Sequence, residues 1–446
     1  MFTISFVDWL DPQAIRRLIM TKDNSRDIHE YSEAEIVEYI NSEHLAYQKI
    51  DFPYGISTNG PDRKEMMNQV FFQDMTGKSV IDIGSYLGAF CIEPIKRGAT
   101  RVVGIELDVE RIRQARQIAE ILHVSPEYLR IDIEEKAIQE RFDFTLVLNV
   151  LHHLQDPIGT LEYLSRITKE RIVIEAASLG SHDSKKNSIR KLASLFLNRF
   201  PAIYLSSVLN QRYLFTEKSL RRILEFYMKK FYSVSTIKSD FKDRYIIIGD
   251  KLEINRTIMV SGTTSAGKST FCKEILDNKY PEVFGKIDNR EIPLVNPEFI
   301  KSRKICECFS QKNNDLVIYH YDIIFPQRNN LHSFNRDHCN DILECTNELD
   351  IVILAPSRNT LIQQITDHEI SGKPDIKTKW HRDLREKYKK ENWLFDLYLD
   401  WLAYCEGIAV TKKRFHLFYE KGDKRELLPN VNLVDIKKII STMYKD

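Results

Sequence analysis

Twice along this chain an apolar run rich in β-branched residues breaks at glycine and continues into a stretch of helical periodicity: VIDIGSYLGAF at 80–90 and TIMVSGTTSAGKST at 257–270. A strand that ends on glycine and feeds a helix is half of a βαβ unit, which commits the chain around it to a parallel sheet. The neighbouring patterns agree. Strands are predicted at SVIDIG (79–84), RVVGIEL (101–107), YLRIDI (128–133), FTLVLNV (144–150) and RIVIEAA (171–177), with helical stretches such as VERIRQARQIAEIL (109–122) between them. A second series starts at NRTIMVSG (255–262) and continues with DLVIYHYDII (315–324), LDIVILAPS (349–357) and RFHLFYEK (414–421). The expected fold class is α/β in two domains. A polar, mostly helical lead-in occupies 1–77, a first sheet domain 78–252 and a second 253–446, with little linker between them. YLFTEKSLRRILEFYMKKF followed by YSVSTIK and RYIIIGD predicts a helix and an antiparallel strand pair that close the first domain.

Charge and cysteine usage narrow the partners and the compartment. In 446 residues, 65 basic side chains almost cancel 64 acidic ones, which argues against duplex DNA as a partner. MFTISFVDWLDP shows no basic region followed by an apolar core, so no signal peptide is expected. An uninterrupted run of about 18 apolar residues, the minimum for a spanning helix, is missing. The seven cysteines are scattered and odd in number, as expected of reduced thiols in a cytoplasmic chain. Cys306 and Cys308 lie close together with no second pair, so no zinc site is predicted there.

In the first domain, Gly84 and Gly88 clear a turn where a ligand carrying a carboxylate, an amine and a ribose could settle, with Ser85 between them. Asp82 at the strand's end could hold the ammonium. Glu106, closing the next strand, could accept both ribose hydroxyls, and Asp132-Ile133 at the end of the third suits an adenine edge. With these strand ends in place, 78–177 resembles the class I S-adenosylmethionine (SAM) dependent methyltransferases, which have a Rossmann-like sheet. The resemblance implies SAM as cofactor. It also places NVLHHLQDP (149–157), with Asn149, beside the methyl-transfer centre. A nicotinamide-binding domain is the structural rival, but its GxGxxG pattern is not met by Gly84-Ser-Tyr-Leu-Gly88. YQKIDFPYGISTNGPDR (47–63) is similar to the lead-in of the tRNA wobble-uridine carboxymethyl-transferring family, although Ala46-Tyr47-Gln48 replaces that family's Trp-Tyr-His. His153, or its neighbour His152, is the candidate general base for an acceptor hydroxyl; packing against the sheet and orienting a loop are their plainer roles.

The second glycine turn is a full GxxxxGK[ST] match, Gly262-Thr263-Thr264-Ser265-Ala266-Gly267-Lys268-Ser269, followed by Thr270. Backbone N–H groups of such a loop cradle phosphates at a helix N-terminus. ATP is the expected ligand, with Lys268 on the β and γ phosphates and the Ser269 hydroxyl on Mg²⁺. Asp322, ending YHYDII, is expected to hold the metal or take the acceptor's proton, while His320 on the same strand face reads as core filler. KPDIKTKWHRDLREKYKK (373–390) could close as a basic lid, with Arg382 and Arg385, and Arg358 elsewhere, as charge-stabilising candidates; a solvated helix face is the equal alternative. The unit resembles small P-loop kinases, whose core fold is shared by sulfotransferases. Together the two domains predict a bifunctional enzyme that methylates and phosphorylates one small polar or glycan acceptor. Two alternatives stand beside it: an RNA (tRNA or RNA-end) methyltransferase-kinase, and a methyltransferase gated by nucleotide binding. The basic-apolar stretch 189–209 could make peripheral membrane contact or cover the acceptor.

Overall fold

In the computed structural model, residues 30–177, 198–205, 213–241, 244–287, 292–324, 342–371, 376–421 and 424–445 are described. Seven strands make the first sheet: β1 (Ser79–Ile83), β2 (Arg101–Ile105), β3 (Glu127–Leu129), β4 (Phe142–Leu148), β5 (Thr168–Ala177), β8 (Phe231–Lys238) and β9 (Arg244–Lys251). Their order is β3-β2-β1-β4-β5-β9-β8. The first five are parallel, and β9 is antiparallel to both β5 and β8. A short ribbon of β6 (Ile203–Leu205) and β7 (Tyr213–Phe215) stands apart.

Both faces of this sheet are covered, which is why β1 is buried along its whole length, including the polar Ser79 and Asp82 among its apolar residues. Val80, Val102, Phe144 and Val173 face one core with Phe90, Ile112 and Ile118. Their sequence neighbours Ile81, Val103 and Ile172 face the other with Leu161, Leu164 and Leu220. The helices on these faces are α1 (Glu33–Ser42), α2 (Lys64–Val70), α3 (Ala89–Lys96), α4 (Val109–Ile121), α5 (Pro157–Ile167) and α6 (Glu217–Arg222). Side-chain caps fix several starts: Ser32 and Glu35 close a capping box, and Asp108 and Asp156 accept from N–H groups of the first turns of α4 and α5.

The second sheet orders β11 (Leu294–Val295), β12 (Asn313–Asp322), β10 (Glu253–Gly262), β13 (Thr346–Ala355), β14 (Lys412–Lys421) and β15 (Lys424–Leu428). Only β15 is antiparallel. Helix α7 (Lys268–Leu276) follows β10, and α8 (Arg358–Ser371), α9 (Ile376–Tyr388), α10 (Trp393–Glu406) and α11 (Leu433–Tyr444) follow later strands. Trp401 of α10 stacks on Tyr321 at 4.8 Å and donates its indole N–H to Ser261 Oγ, tying that helix to the strand behind the glycine loop.

Only Leu252 separates β9 from β10. The contact between the two sheets is made where their parallel strands begin. Leu252 N donates to Lys230 O, Glu253 N to Lys312 O and Ile254 N to Cys345 O. Lys230 pairs with Glu344 at 2.5 Å, and Lys251 Nζ reaches the Ser165 and Thr168 carbonyls at 2.9 and 2.7 Å. Lys251 is buried, and loss of solvation lowers its pKa to about 8.

Several expectations need correction. The third strand stops at Leu129, because Asp132 turns the chain by accepting from Glu134 N and opens a short 3-10 turn at Ile133–Glu135. Among the described lead-in residues only α1 and α2 are α-helical; Asp51 and Ser57 instead bridge across a Pro53–Gly55 turn. The ribbon strands and the edge strands β11 and β15 were not expected; each is short or exposed on an edge, so it carries little periodicity. Of the stretch 189–209, residues 189–197 and 206–209 lie outside the described residues, and Ile203–Leu205 is a strand rather than helix.

Candidate functional sites

The C-terminal ends of β1, β2 and β4 open into a cavity of about 540 Å³. Two glycines shape the turn that follows β1. Gly84 (φ +73°) and Ser85 both donate to Ile105 O, at 2.8 and 2.9 Å, and this folds the chain sharply off β1. A Cβ at Gly84 would lie 2.7 Å from Val150 Cγ2, and one at Gly88 (φ +79°) would lie 1.9 Å from the Tyr128 hydroxyl. A side chain at Gly84 would displace the cavity wall at Val150, and one at Gly88 would displace Tyr128.

Glu106 is held by three backbone donors, Tyr86 N at 3.1 Å, Leu107 N at 2.7 Å and Asp108 N at 3.1 Å. Its two oxygens keep lone pairs for the cavity. Asp82 is in the opposite condition. It is 3 % exposed, its Oδ1 has no hydrogen-bond partner, and Oδ2 has only the Cys91 thiol at 3.9 Å. Burial first, and the Glu106 charge second, push its pKa up to about 8. Ser85 Oγ is likewise buried and unpartnered. Orphaned polar atoms of this kind point to a missing cationic, hydroxyl-bearing partner. SAM fits them: Asp82 would take its ammonium and Glu106 its ribose.

Asp132, Ile133, Asn149 and His153 also line the cavity, although Asp132 sits on a turn rather than a strand. Asn149 is left-handed (φ +63°), with its N–H on Glu175 O at 2.9 Å. His152 is buried and His153 exposed, their rings 3.9 Å apart. Gly88, expected at the ligand, does not line the cavity; it packs against Tyr128.

Sequence reasoning missed the side of the cavity made by Tyr47, Gln48, Arg63 and Glu175. Arg63, 5 % exposed, pairs with Glu175 at 2.8 Å and Asp240 at 3.2 Å between the Phe90 and Phe241 rings. Glu175 also takes Ser239 Oγ at 2.5 Å and Arg244 at 3.3 Å. Two cations and two carboxylates close into a neutral cluster, with Arg63 and Glu175 buried and Asp240 at its exposed edge. An arginine so far from the sheet in sequence gives no periodic signal. The one available clue was an acid, Glu175, inside an apolar strand.

The second glycine turn connects β10 to α7. Lys268 is buried, with Nζ 2.7 Å from Thr263 O and 2.5 Å from Asp322 Oδ1. Thr263 Oγ1 and Thr264 O both meet the Tyr388 hydroxyl, at 2.5 and 2.7 Å, and Ser265 Oγ lies 3.0 Å from His368 Nδ1. Gly267 precedes α7 with no side-chain cap, so the first N–H groups of that helix face the loop. Ala266 packs on Gly262, and Ser269 and Thr270 are exposed. Ser269 Oγ lies 3.3 Å from His320 Nε2, so His320 is not core filler; burial first, and Lys268 second, lower its pKa. The basic stretch forms α9, but Arg382 and Arg385 both pair with Glu369 of α8, at 3.1 and 2.7 Å. Arg358 donates to Tyr444 O. All three arginines are engaged by α8 and α11 rather than directed at the glycine loop.

Comparison with known proteins agrees with the first site. Residues 64–227 match the family model described as a methyltransferase domain. With the cavity above, this part of the chain is a class I SAM-dependent methyltransferase domain. Ubiquinone biosynthesis O-methyltransferase of Rhodopseudomonas palustris (strain TIE-1) is 29% identical over 117 residues, 26% of this chain and 46% of that protein. The enzyme of the same name from Nitrobacter winogradskyi is 33% identical over 105 residues, 24% of this chain and 40% of that protein. The chain thus spans less than half the length of these relatives. Among solved structures, the N-terminal domain of EvdMO1 with SAH bound is 15% identical, with a TM-score of 0.39, covering 51% of this chain and all of that one. Magnesium protoporphyrin IX methyltransferase from Synechocystis PCC 6803 is 17% identical, with a TM-score of 0.32, covering 54% of this chain and 94% of its own.

Proposed function

We propose that this chain transfers a methyl group from SAM and a phosphoryl group from ATP, one in each domain, to a small polar or glycan acceptor. The observation that carries the methyl half is the buried, unpartnered Asp82 carboxylate one strand away from the anchored Glu106. SAM supplies the electrophilic methyl. The chain's own work is to hold its ammonium and ribose and to keep the turn at Gly84 clear of side chains. The relatives are named as O-methyltransferases, which favours an oxygen acceptor. His153 on the cavity wall is the group suited to take that oxygen's proton.

The phosphoryl half rests on the GxxxxGK[ST] loop lying between a buried strand and an uncapped helix N-terminus. ATP supplies the phosphoryl group. Lys268 would leave Thr263 O for the phosphates while staying close to Asp322, and Ser269 would face the metal. Mass spectrometry of a metabolite extract incubated with the protein, SAM and ATP tests the scheme. Products heavier by a methyl, by a phosphate and by both are expected. Lys268→Ala should erase the phosphate, and Glu106→Ala should weaken methylation. ATP consumption with no phosphate on any product would refute the kinase half, and unmethylated products throughout would refute the other.

A further inference from the structure

The sequence assigns the magnesium side of the glycine loop to Asp322, but the strand register places a different residue against Ser269. Strand β12 runs parallel to β10, pairing Gly262 with Asp322 and Val260 with His320. Alternation puts Asp322 and His320 on the same face, one pleat apart. Asp322, level with the start of the loop, meets Lys268 Nζ at 2.5 Å. His320, set back from it, reaches over to the Ser269 hydroxyl at 3.3 Å. The carboxylate is therefore engaged by the lysine, and the serine hydroxyl lies against an imidazole.

A serine hydroxyl has one proton and two lone pairs, and it can bind a cation only if the proton points elsewhere. Resting on the nucleotide reading above, we propose that His320 is a positioning residue. Its Nε2 accepts the Ser269 proton and so leaves the hydroxyl's lone pairs turned toward the metal of the bound nucleotide. Partners that orient a metal ligand in this way commonly change metal affinity by about 10–100-fold when removed.

The test is ATP affinity by calorimetry, in magnesium and in EDTA, with the full chain. The wild type should bind ATP more tightly with magnesium. His320→Leu, which cannot accept a hydrogen bond, should lose that gain by about tenfold or more while its affinity in EDTA stays unchanged. His320→Asn, polar but too short to reach Ser269, should behave the same way and serves if the leucine variant does not fold. His320→Gln, long enough to accept through its amide oxygen, should keep most of the gain. A magnesium gain undiminished in the Leu or Asn variant overturns the assignment. Equal loss in all three, Gln included, overturns it too, because the imidazole would then matter for packing rather than as an acceptor. No ATP binding by the wild type under either condition would sink the nucleotide reading itself, a result distinct from both.

Discussion

The Asp82 carboxylate makes the sharpest forecast, because binding SAM should force it to ionise. In the free protein its pKa is pushed up to about 8, first by burial and then by the charge of Glu106. At pH 6 the ionised fraction is then about one in a hundred, and reaching the form that pairs with the ligand's ammonium costs about 2.7 kcal/mol. Affinity for SAM or its product SAH should therefore fall roughly tenfold for each pH unit below 8. Above that the ligand's own amine, with a pKa of about 8, loses its charge, so affinity should peak near pH 8. Calorimetric titration with SAH from pH 6 to 9.5, in two buffers of different ionisation heat, measures both the slope and the protons exchanged. Close to one proton should be released per SAH bound at pH 6 to 7. Asp82→Asn should lose the acidic limb and keep the alkaline one. A flat wild-type profile between pH 6 and 8, or an unchanged slope in Asp82→Asn, would mean that the ammonium is held elsewhere. The same shift has a sign for stability. A raised folded pKa means that the unliganded protein loses stability as pH climbs from about 4 to about 8, and bound SAH should recover it.

Glu106→Ala should weaken SAH binding by about 1.5–3 kcal/mol in calorimetry, the range for hydrogen bonds to a charged group. Gly84→Val should abolish SAH binding in a folded protein, since its Cβ would stand 2.7 Å from Val150 Cγ2 in left-handed backbone; retained affinity would show that the ligand lies elsewhere. Tyr128→Phe removes a buried hydroxyl with no hydrogen-bond partner, so urea unfolding should show unchanged or slightly higher stability, by about 1 kcal/mol at most. Lys251 has its folded pKa lowered to about 8 against about 10.4 unfolded, so stability should rise with pH across that window, and Lys251→Met should flatten the rise in pH-dependent melting.

The sheets were legible because strands buried on both faces leave continuous apolar runs, and every strand expected from such a run is present, with ends displaced by a few residues. What eluded the sequence was short or distant. The Leu129 strand end depends on an aspartate capping its own turn, which competes locally with extended backbone. Asp82, Glu106 and Asn149 could be placed at the cavity because strand ends are fixed by the sheet. Arg63 could not, since its Glu175 and Asp240 partners are joined to it only by the fold. The basic helix shows the converse error. Its density of cations suggested a phosphate clamp, while Glu369 on the neighbouring helix absorbs Arg382 and Arg385.

The one-residue joint at Leu252 sets how the two sheets are linked. Ile246 of β9 is level with Glu175 and Leu148 at the mouth of the SAM cavity, and β10 ends at Gly262 in the glycine loop. At about 3.3 Å per residue the chain path from Ile246 to Gly262 spans at most about 50 Å, with the SAM cavity at its start and the glycine loop at its end. The two sites therefore open at ends of different sheets, which meet where their parallel strands begin. If the proposed function holds, an acceptor that receives both groups would dissociate, diffuse through solvent and be captured again, by this copy of the chain or by another. On the proposed reading, the fusion would fix a one-to-one supply of two catalysts rather than a hand-off. Its traces would be singly modified molecules in the medium, and an outside enzyme could compete for them.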